Sequence, residues 1–168
     1  MVLIETAMGV EQVFAILSSS ERCKGLMIGG EDLCVDLNCP RTKAGNEIFY
    51  ARSRLVNCAK ALNKFVIDTP FTDTNDEKGL IVDTKFAKSL GFIGKASINP
   101  RQIYFINEVF SPTALEIKHA KRIIAAKESA LKQGLGVFAL DGKMVDLPII
   151  KRAESLLETS RKLGLIKE

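Results

Sequence analysis

Apolar positions along the chain fall into short continuous runs that alternate with longer segments of helical spacing. Val2–Ile4, Leu26–Ile28, Phe65–Ile67 and Ala96–Ile98 are the apolar runs, each predicted as a short strand. Between them, Glu11–Ser18 (with Val13, Phe14, Ile16 and Leu17), Ala44–Leu62 (Ile48, Leu55, Val56, Ala59, Leu62) and Gly79–Leu90 are predicted helices, and Arg101–Val109 is a shorter fourth one. Strands that are apolar throughout, rather than alternating, suit a parallel sheet covered by its crossover helices. Each run ends in residues able to do chemistry: Glu5, Glu31-Asp32, Asp68 and Asn99. In parallel sheets and barrels, ligands sit at the carboxyl ends of the strands.

After Phe110 the pattern changes. Ser111-Pro112 predicts a helix start, with Ser as the cap, and the helix is expected to run to Lys132 with Gly134 as its C-cap. Val137–Leu140 and Met144-Val145 flank Asp141-Gly142, a dipeptide suited to a tight hairpin turn. Pro148 then opens a terminal amphipathic helix. The expected division is therefore 1–110 as a strand-helix body and 111–168 as a helix-hairpin-helix appendage.

Composition narrows the class. The chain has 168 residues, 46% hydrophobic and 26% charged, ordinary for a globular protein. It is short for a closed (β/α)8 barrel, which takes about 250 residues. The net charge of +4 is spread along the chain, so no nucleic-acid partner is expected, although an anionic ligand is compatible. Cys23, Cys34, Cys39 and Cys58 form no C-x-x-C pair, and His119 is the only histidine. Reduced thiols in a cytoplasmic protein are the expectation. No apolar stretch approaches the roughly 20 residues of a membrane span, and Glu5 interrupts the first apolar run as no signal peptide would.

Glu5 and Asp32 are separated by one strand-helix-strand unit, so both are expected at the carboxyl ends of adjacent strands, facing one mouth. Two carboxylates so placed suit Mg²⁺, which takes one or two carboxylates and keeps water or substrate oxygens on its other positions. Helix capping or pairing with Arg is the alternative. Arg41, Lys43, Arg52 and Arg54 read as a solvated or salt-bridged helix face, and His119 as bland surface.

The ordered motifs resemble a known family. Ile4-Glu-Thr-Ala-x-Gly-Val10, Gly29-Gly-Glu-Asp-Leu33, Arg41-Thr-Lys43, Tyr50-Ala-Arg-Ser-Arg54 and Ile67-Asp-Thr69 are followed by Asn75-Asp76 and Gly79-Leu80. Gly91-Phe-x-Gly-Lys95, Ile98-Asn-Pro-Arg-Gln-Ile103, Val109-Phe-Ser-Pro112 and Gly142-Lys-Met-Val-Asp-x-Pro148 complete the set. Together they resemble the citrate lyase beta subunits of the HpcH/HpaI aldolase/citrate lyase family, over essentially the whole chain. The resemblance implies an α/β fold, the C-terminal part of a TIM barrel, and carbon–carbon cleavage of a citryl thioester to oxaloacetate and an acetyl thioester. It implies Mg²⁺ on Glu5 and Asp32, catalysis by Asp146, and a thioester carrier, either coenzyme A or an acyl carrier protein, near Asp68, Asn99 and Pro100. Asp146 is also a helix N-cap candidate, Asn99-Pro100 a plain strand-to-helix turn, and Asp68 a residue for simple hydrogen bonding inside the mouth. Family members are expected to carry further strands ahead of the first one here, including an arginine that clamps substrate carboxylates. The chain alone is therefore expected to be inactive, or completed by a missing barrel half, by alpha and gamma (acyl carrier) subunits, or by copies of itself as a homo-oligomer. A malyl-CoA-type lyase, a thioesterase and a non-catalytic assembly module are the alternatives.

Overall fold

A computed structural model describes residues 1–132 and 137–167. The chain divides into two compact units, Met1–Phe110 and Ser111–Glu168. The expected cap Gly134 lies outside the described residues.

In the first unit, β1 (Val2–Ile4), β2 (Gly25–Ile28), β3 (Phe65–Asp68) and β4 (Gly94–Lys95) form one four-stranded sheet in the order β1-β2-β3-β4. All neighbours are parallel. A sheet wound always in one direction is the winding of a barrel, whereas a doubly wound sheet reverses its strand order. Register sets the pleat: Leu3, Met27, Ile67 and Gly94 form one cross-strand row. Ile4, Leu26, Ile28 and Val66 point to the other face and are buried. That face packs on helices α1 (Ala7–Glu11), α2 (Val13–Ser18), α3 (Gly30–Asp36), α4 (Phe49–Ala61) and α5 (Glu77–Leu90), through Val10, Val13, Leu17, Leu33, Leu55 and Ala87. The row of Leu3, Met27 and Ile67 is less covered, and Leu3 is 48% exposed.

Local chemistry explains the element boundaries. Asp76 caps α5 through Gly79 N at 2.8 Å, and Gly91 ends it in the left-handed region at φ 105°. Asn99 Oδ1 accepts from Arg101 N at 3.0 Å where α6 (Pro100–Phe110) begins, with Pro100 as its first residue. Phe71, Leu80 and Ile106 form a small apolar cluster under α5 and α6.

Four expectations for the first unit are corrected. The fourth strand is Gly94–Lys95 rather than Ala96–Ile98, because Lys95 is the residue in register with Asp68. The chain has left the sheet by Ile98, whose N–H donates to Gln102 Oε1 at 3.2 Å. Glu31-Asp32 does not end a strand: Gly30 already begins α3. The predicted helix Glu11–Ser18 is two short helices meeting at Gln12, and Ala44–Leu62 begins instead with a left-handed Gly45 (φ 69°) and a 3₁₀ turn, Asn46–Ile48.

The second unit contains α7 (Ala114–Lys132), an antiparallel hairpin of β5 (Phe138–Leu140) and β6 (Lys143–Val145), and α8 (Leu147–Lys162). Asp141 and Gly142, at φ 52° and 74°, supply the two positive-φ positions of the turn. Thr113, not Ser111, caps α7: Thr113 N donates to Glu116 Oε2 at 2.7 Å while Glu116 N donates to Thr113 Oγ1 at 3.2 Å. Ala120, Ile123, Val145, Ile150, Ala153 and Leu157 make this unit's core. Among the described residues no helix is long and apolar enough to cross a membrane.

Candidate metal-holding rim

Glu5 follows β1 directly, and its position is held from both directions along the chain. Thr6 caps α1 through Gly9 N at 3.0 Å, and Ala7 N donates to Asp36 Oδ2 at the far end of α3, at 2.7 Å. On the neighbouring strand, Gly29 N donates to Ile4 O at 2.8 Å, which extends the ladder one step beyond Ile28. A side chain at Gly29 would collide with Glu5: an added Cβ would lie 2.8 Å from Glu5 Cβ and 2.9 Å from Oε2. The Glu5 carboxylate thus occupies the space that Gly29 leaves open.

Asp32 sits in the first turn of α3 and is exposed, where its charge also favours the helix dipole. The start of α3 is fixed by a bond from another strand. Gly30 N donates to Thr69 Oγ1 at 3.0 Å, in a buried contact. Glu5 and Asp32 therefore stand just past the carboxyl ends of adjacent parallel strands. Among the described residues, neither carboxylate has a hydrogen bond or ion pair. Two acidic oxygen donors left open by the protein fit a hard cation such as Mg²⁺. No group of three or more His, Cys, Asp or Glu that could hold a metal ion occurs among the described residues.

Asp68 does not join this rim. The pleat puts it in phase with Val66, on the helix side, and it is 0% exposed. Arg52 of α4 grips it with Nε on Oδ1 at 2.9 Å and Nη2 on Oδ2 at 2.8 Å, and Lys95 Nζ reaches Oδ2 at 2.7 Å. Asp83 of α5 completes the group, 2.8 Å from Arg52 Nη2 and 2.5 Å from Lys95 Nζ. Two cations and two anions cancel in a dry site. Burial would raise the Asp83 carboxyl pKa, but Lys95 and Arg52 hold it below the ordinary range. Of the two readings of Asp68, contact with a ligand or hydrogen bonding within the protein, the second is what its bonds to Arg52 and Lys95 show.

Arg52 takes the salt-bridged of the two expected states, on α4, and is fully buried. Arg54 lies exposed on α4, whereas Arg41 and Lys43 are salt-bridged in the loop before the 3₁₀ turn and not on a helix face. Arg41 Nη1 pairs with Glu47 at 2.8 Å, Lys43 bridges Asp73 and Asp76, and Arg54 Nη2 donates to Glu11 O. Glu47 also accepts from Thr42 N and Thr42 Oγ1, both at 2.8 Å. Burial works against its charge, but these donors prevail and bring its pKa down to about 2. The cysteines are free thiols, and Cys34, buried beside Cys39, has its pKa pushed up to about 11.

Asn99 and Pro100 open α6, as described. Asp146 caps α8, its Oδ1 accepting from Ile149 N at 3.3 Å. His119 is exposed. Sequence reasoning missed Thr69 and Lys95 as members of the supporting layer. Their signal was Asp68 itself, a carboxylate ending an otherwise apolar strand that requires buried partners.

The sequence model of the HpcH/HpaI aldolase/citrate lyase family matches residues 1–100. The citrate lyase subunit beta of Leuconostoc mesenteroides subsp. cremoris is 39% identical over 99% of this chain and 55% of its own length. The mitochondrial citramalyl-CoA lyase of Rattus norvegicus is 33% identical over 92% of this chain and 48% of its own. Among solved structures, protein CitE from Mycobacterium tuberculosis in complex with magnesium, acetoacetate and coenzyme A superposes with a TM-score of 0.83 at 29% identity, covering 95% of this chain and 60% of that one. The chain thus spans about half the length of the curated relatives it matches. A one-directional parallel sheet with two open carboxylates at its rim, together with the family match over most of the first unit, leads to one conclusion: this chain belongs to the HpcH/HpaI aldolase/citrate lyase family.

Proposed function

We propose that this chain supplies the metal-holding strands of a magnesium-dependent carbon–carbon lyase that cleaves a citryl thioester to oxaloacetate and an acetyl thioester. The observation that carries the reading is the pair Glu5 and Asp32, two carboxylates without protein partners just past the carboxyl ends of β1 and β2. The magnesium complex of the CitE relative supports it. When bound, the ion supplies Lewis-acid stabilisation and a template for keto-acid oxygens. Glu5 and Asp32 would hold it, and the absent side chain of Gly29 makes room for the Glu5 carboxylate.

Cleavage requires that the citryl hydroxyl lose its proton, that the adjacent carbon–carbon bond break, and that its electron pair pass to the thioester enolate. The hydroxyl carbon becomes the ketone of oxaloacetate, and a proton added to the enolate gives the acetyl thioester. Asp146 is the proposed base. Asn99 and Pro100 are proposed to lie beside the carrier, coenzyme A or the prosthetic group of an acyl carrier protein. The half-covered apolar row of Leu3, Met27 and Ile67 supports a place in a larger (β/α)8 barrel, whose remaining strands would cover it. Those strands, alpha and gamma subunits, and further copies of this chain are the proposed partners.

The test is magnesium-dependent release of oxaloacetate from citryl-CoA by the enzyme assembled with this chain. Glu5→Gln and Asp32→Asn are each expected to lower kcat/KM by at least about 100-fold. Unchanged rates in both would overturn the reading. The 33% identity to a citramalyl-CoA lyase favours one alternative, a related acyl-CoA lyase. A higher kcat/KM with citramalyl-CoA or malyl-CoA than with citryl-CoA would select it.

A further inference from the structure

The proposed magnesium carboxylates lie on segments of different kinds. Glu5 follows a strand directly, while Asp32 rides on a short helix whose N-cap residue, Gly29, has no side chain to cap it. What anchors that helix is therefore decisive for where Asp32 stands. The N–H of Gly30, its first residue, is one of the donors a helix start leaves without an internal partner. It is satisfied from β3's end, by Thr69 Oγ1 at 3.0 Å across 39 residues of sequence, and Thr69 is 1% exposed. Contact is close on the carbon side too: a Cβ at Gly30 would lie 2.8 Å from Thr69 Oγ1 and 3.2 Å from its Cβ. Thr69 is itself clamped, because Lys95 Nζ donates to its carbonyl at 2.7 Å while also binding Asp68.

We infer that Thr69 is a positioning residue for the metal carboxylate Asp32: its hydroxyl fixes the start of α3, and the buried charge group behind it fixes Thr69. The inference rests on the reading of Glu5 and Asp32 as magnesium ligands. Thr69 reaches no ligand itself. It acts through one buried hydrogen bond, and Lys95 acts through Thr69. The arrangement gives the buried charge cluster a use beyond stability. It ties β3, β4, α4 and α5 to the first turn of α3, so the rim inherits the rigidity of the unit's interior.

The test measures Mg²⁺ binding alone, by titration calorimetry on the full chain, at a temperature where thermal unfolding shows every variant folded. Thr69→Val keeps the branched shape and removes the acceptor. It is expected to raise the Mg²⁺ dissociation constant by about 10-fold or more, the usual effect of losing a residue that orients a metal ligand. Thr69→Ser keeps the hydroxyl and should restore affinity to within about twofold of the parent. Thr84→Val removes another buried hydroxyl, one that bonds Leu80 O at 2.6 Å within α5, and should leave affinity unchanged. If Thr69→Val does not fold, Thr69→Cys replaces it, with a smaller loss expected from its weaker acceptor. Parental affinity in Thr69→Val, failure of Thr69→Ser to restore it, or an equal loss in Thr84→Val overturns the inference. Asp32→Asn separates this from the reading beneath it. Lost binding in Asp32→Asn with retained binding in Thr69→Val sinks the positioning role alone. A parent chain that binds no Mg²⁺, or binds it equally as Asp32→Asn, removes both.

Discussion

Arg52, Asp68, Asp83 and Lys95 show how charges can be buried without being stranded. Each cation meets both anions at hydrogen-bonding distance or less, so removal of any one leaves uncompensated charge in a dry site. Asp68→Asn is therefore expected to destabilise the fold by about 3–5 kcal/mol in urea unfolding. The same variant loosens Lys95, which also holds the Thr69 carbonyl, and should therefore weaken Mg²⁺ binding in protein that remains folded. Glu47 makes a pH-dependent contribution. Its folded pKa, about 2, lies below the ordinary 4.5. The stability it adds is fully present above the ordinary value and is lost as pH falls through the folded one. Melting temperatures measured from about pH 6 down to about pH 2 should converge for the parent and Glu47→Gln at the acid end, with the parent higher at about pH 6. A constant gap across the range would contradict this.

At the scale of elements, two helix starts are set by different means. The capping box of Thr113 and Glu116 is local, and Thr113→Ala should cost about 1 kcal/mol in thermal or urea unfolding. The start of α3 is set from across the sheet, and Gly29 and Gly30 are both there because neighbours approach too closely for a side chain. Gly29→Ala should displace Glu5 and weaken Mg²⁺ binding in calorimetry more than it lowers the melting temperature. The contrast explains what the sequence could convey. The strands at Val2, Leu26 and Phe65 were legible because continuous apolar runs bounded by polar residues have few other uses. The helix at Gly30 was hidden behind a Gly-Gly pair that reads locally as a turn, since its anchor, Thr69, lies far away in sequence. The salt-bridged reading of Arg52 holds, and its burial was legible too: it shares a helical stripe with Leu55, Val56 and Ala59, all buried. Asp83 likewise falls in step with Leu80, Thr84 and Ala87. Charges in phase with an apolar stripe announce buried pairing, a signal present in the spacing. The strand at Ala96–Ile98 failed for a different reason: register with Ile67 and Asp68, which single-chain periodicity does not contain, placed it earlier.

On the scale of the whole molecule, one sheet face is packed by helices and the other carries Leu3, Met27 and Ile67. Apolar strands written for burial on both faces leave an adhesive surface when only one is covered. Sedimentation of the isolated chain should therefore show concentration-dependent association, reduced in Leu3→Lys. A monomer at every concentration would contradict the part-barrel reading. Every functional statement converges on the rim, where Glu5 and Asp32 remain open while the carboxylate behind them, Asp68, is consumed by structure. The most direct test is a crystal of the chain soaked in Mn²⁺ as a substitute for Mg²⁺ and measured at the manganese absorption edge. The account predicts an anomalous peak about 2.1 Å from carboxylate oxygens of both Glu5 and Asp32. A peak elsewhere, or none between these two side chains, would contradict it.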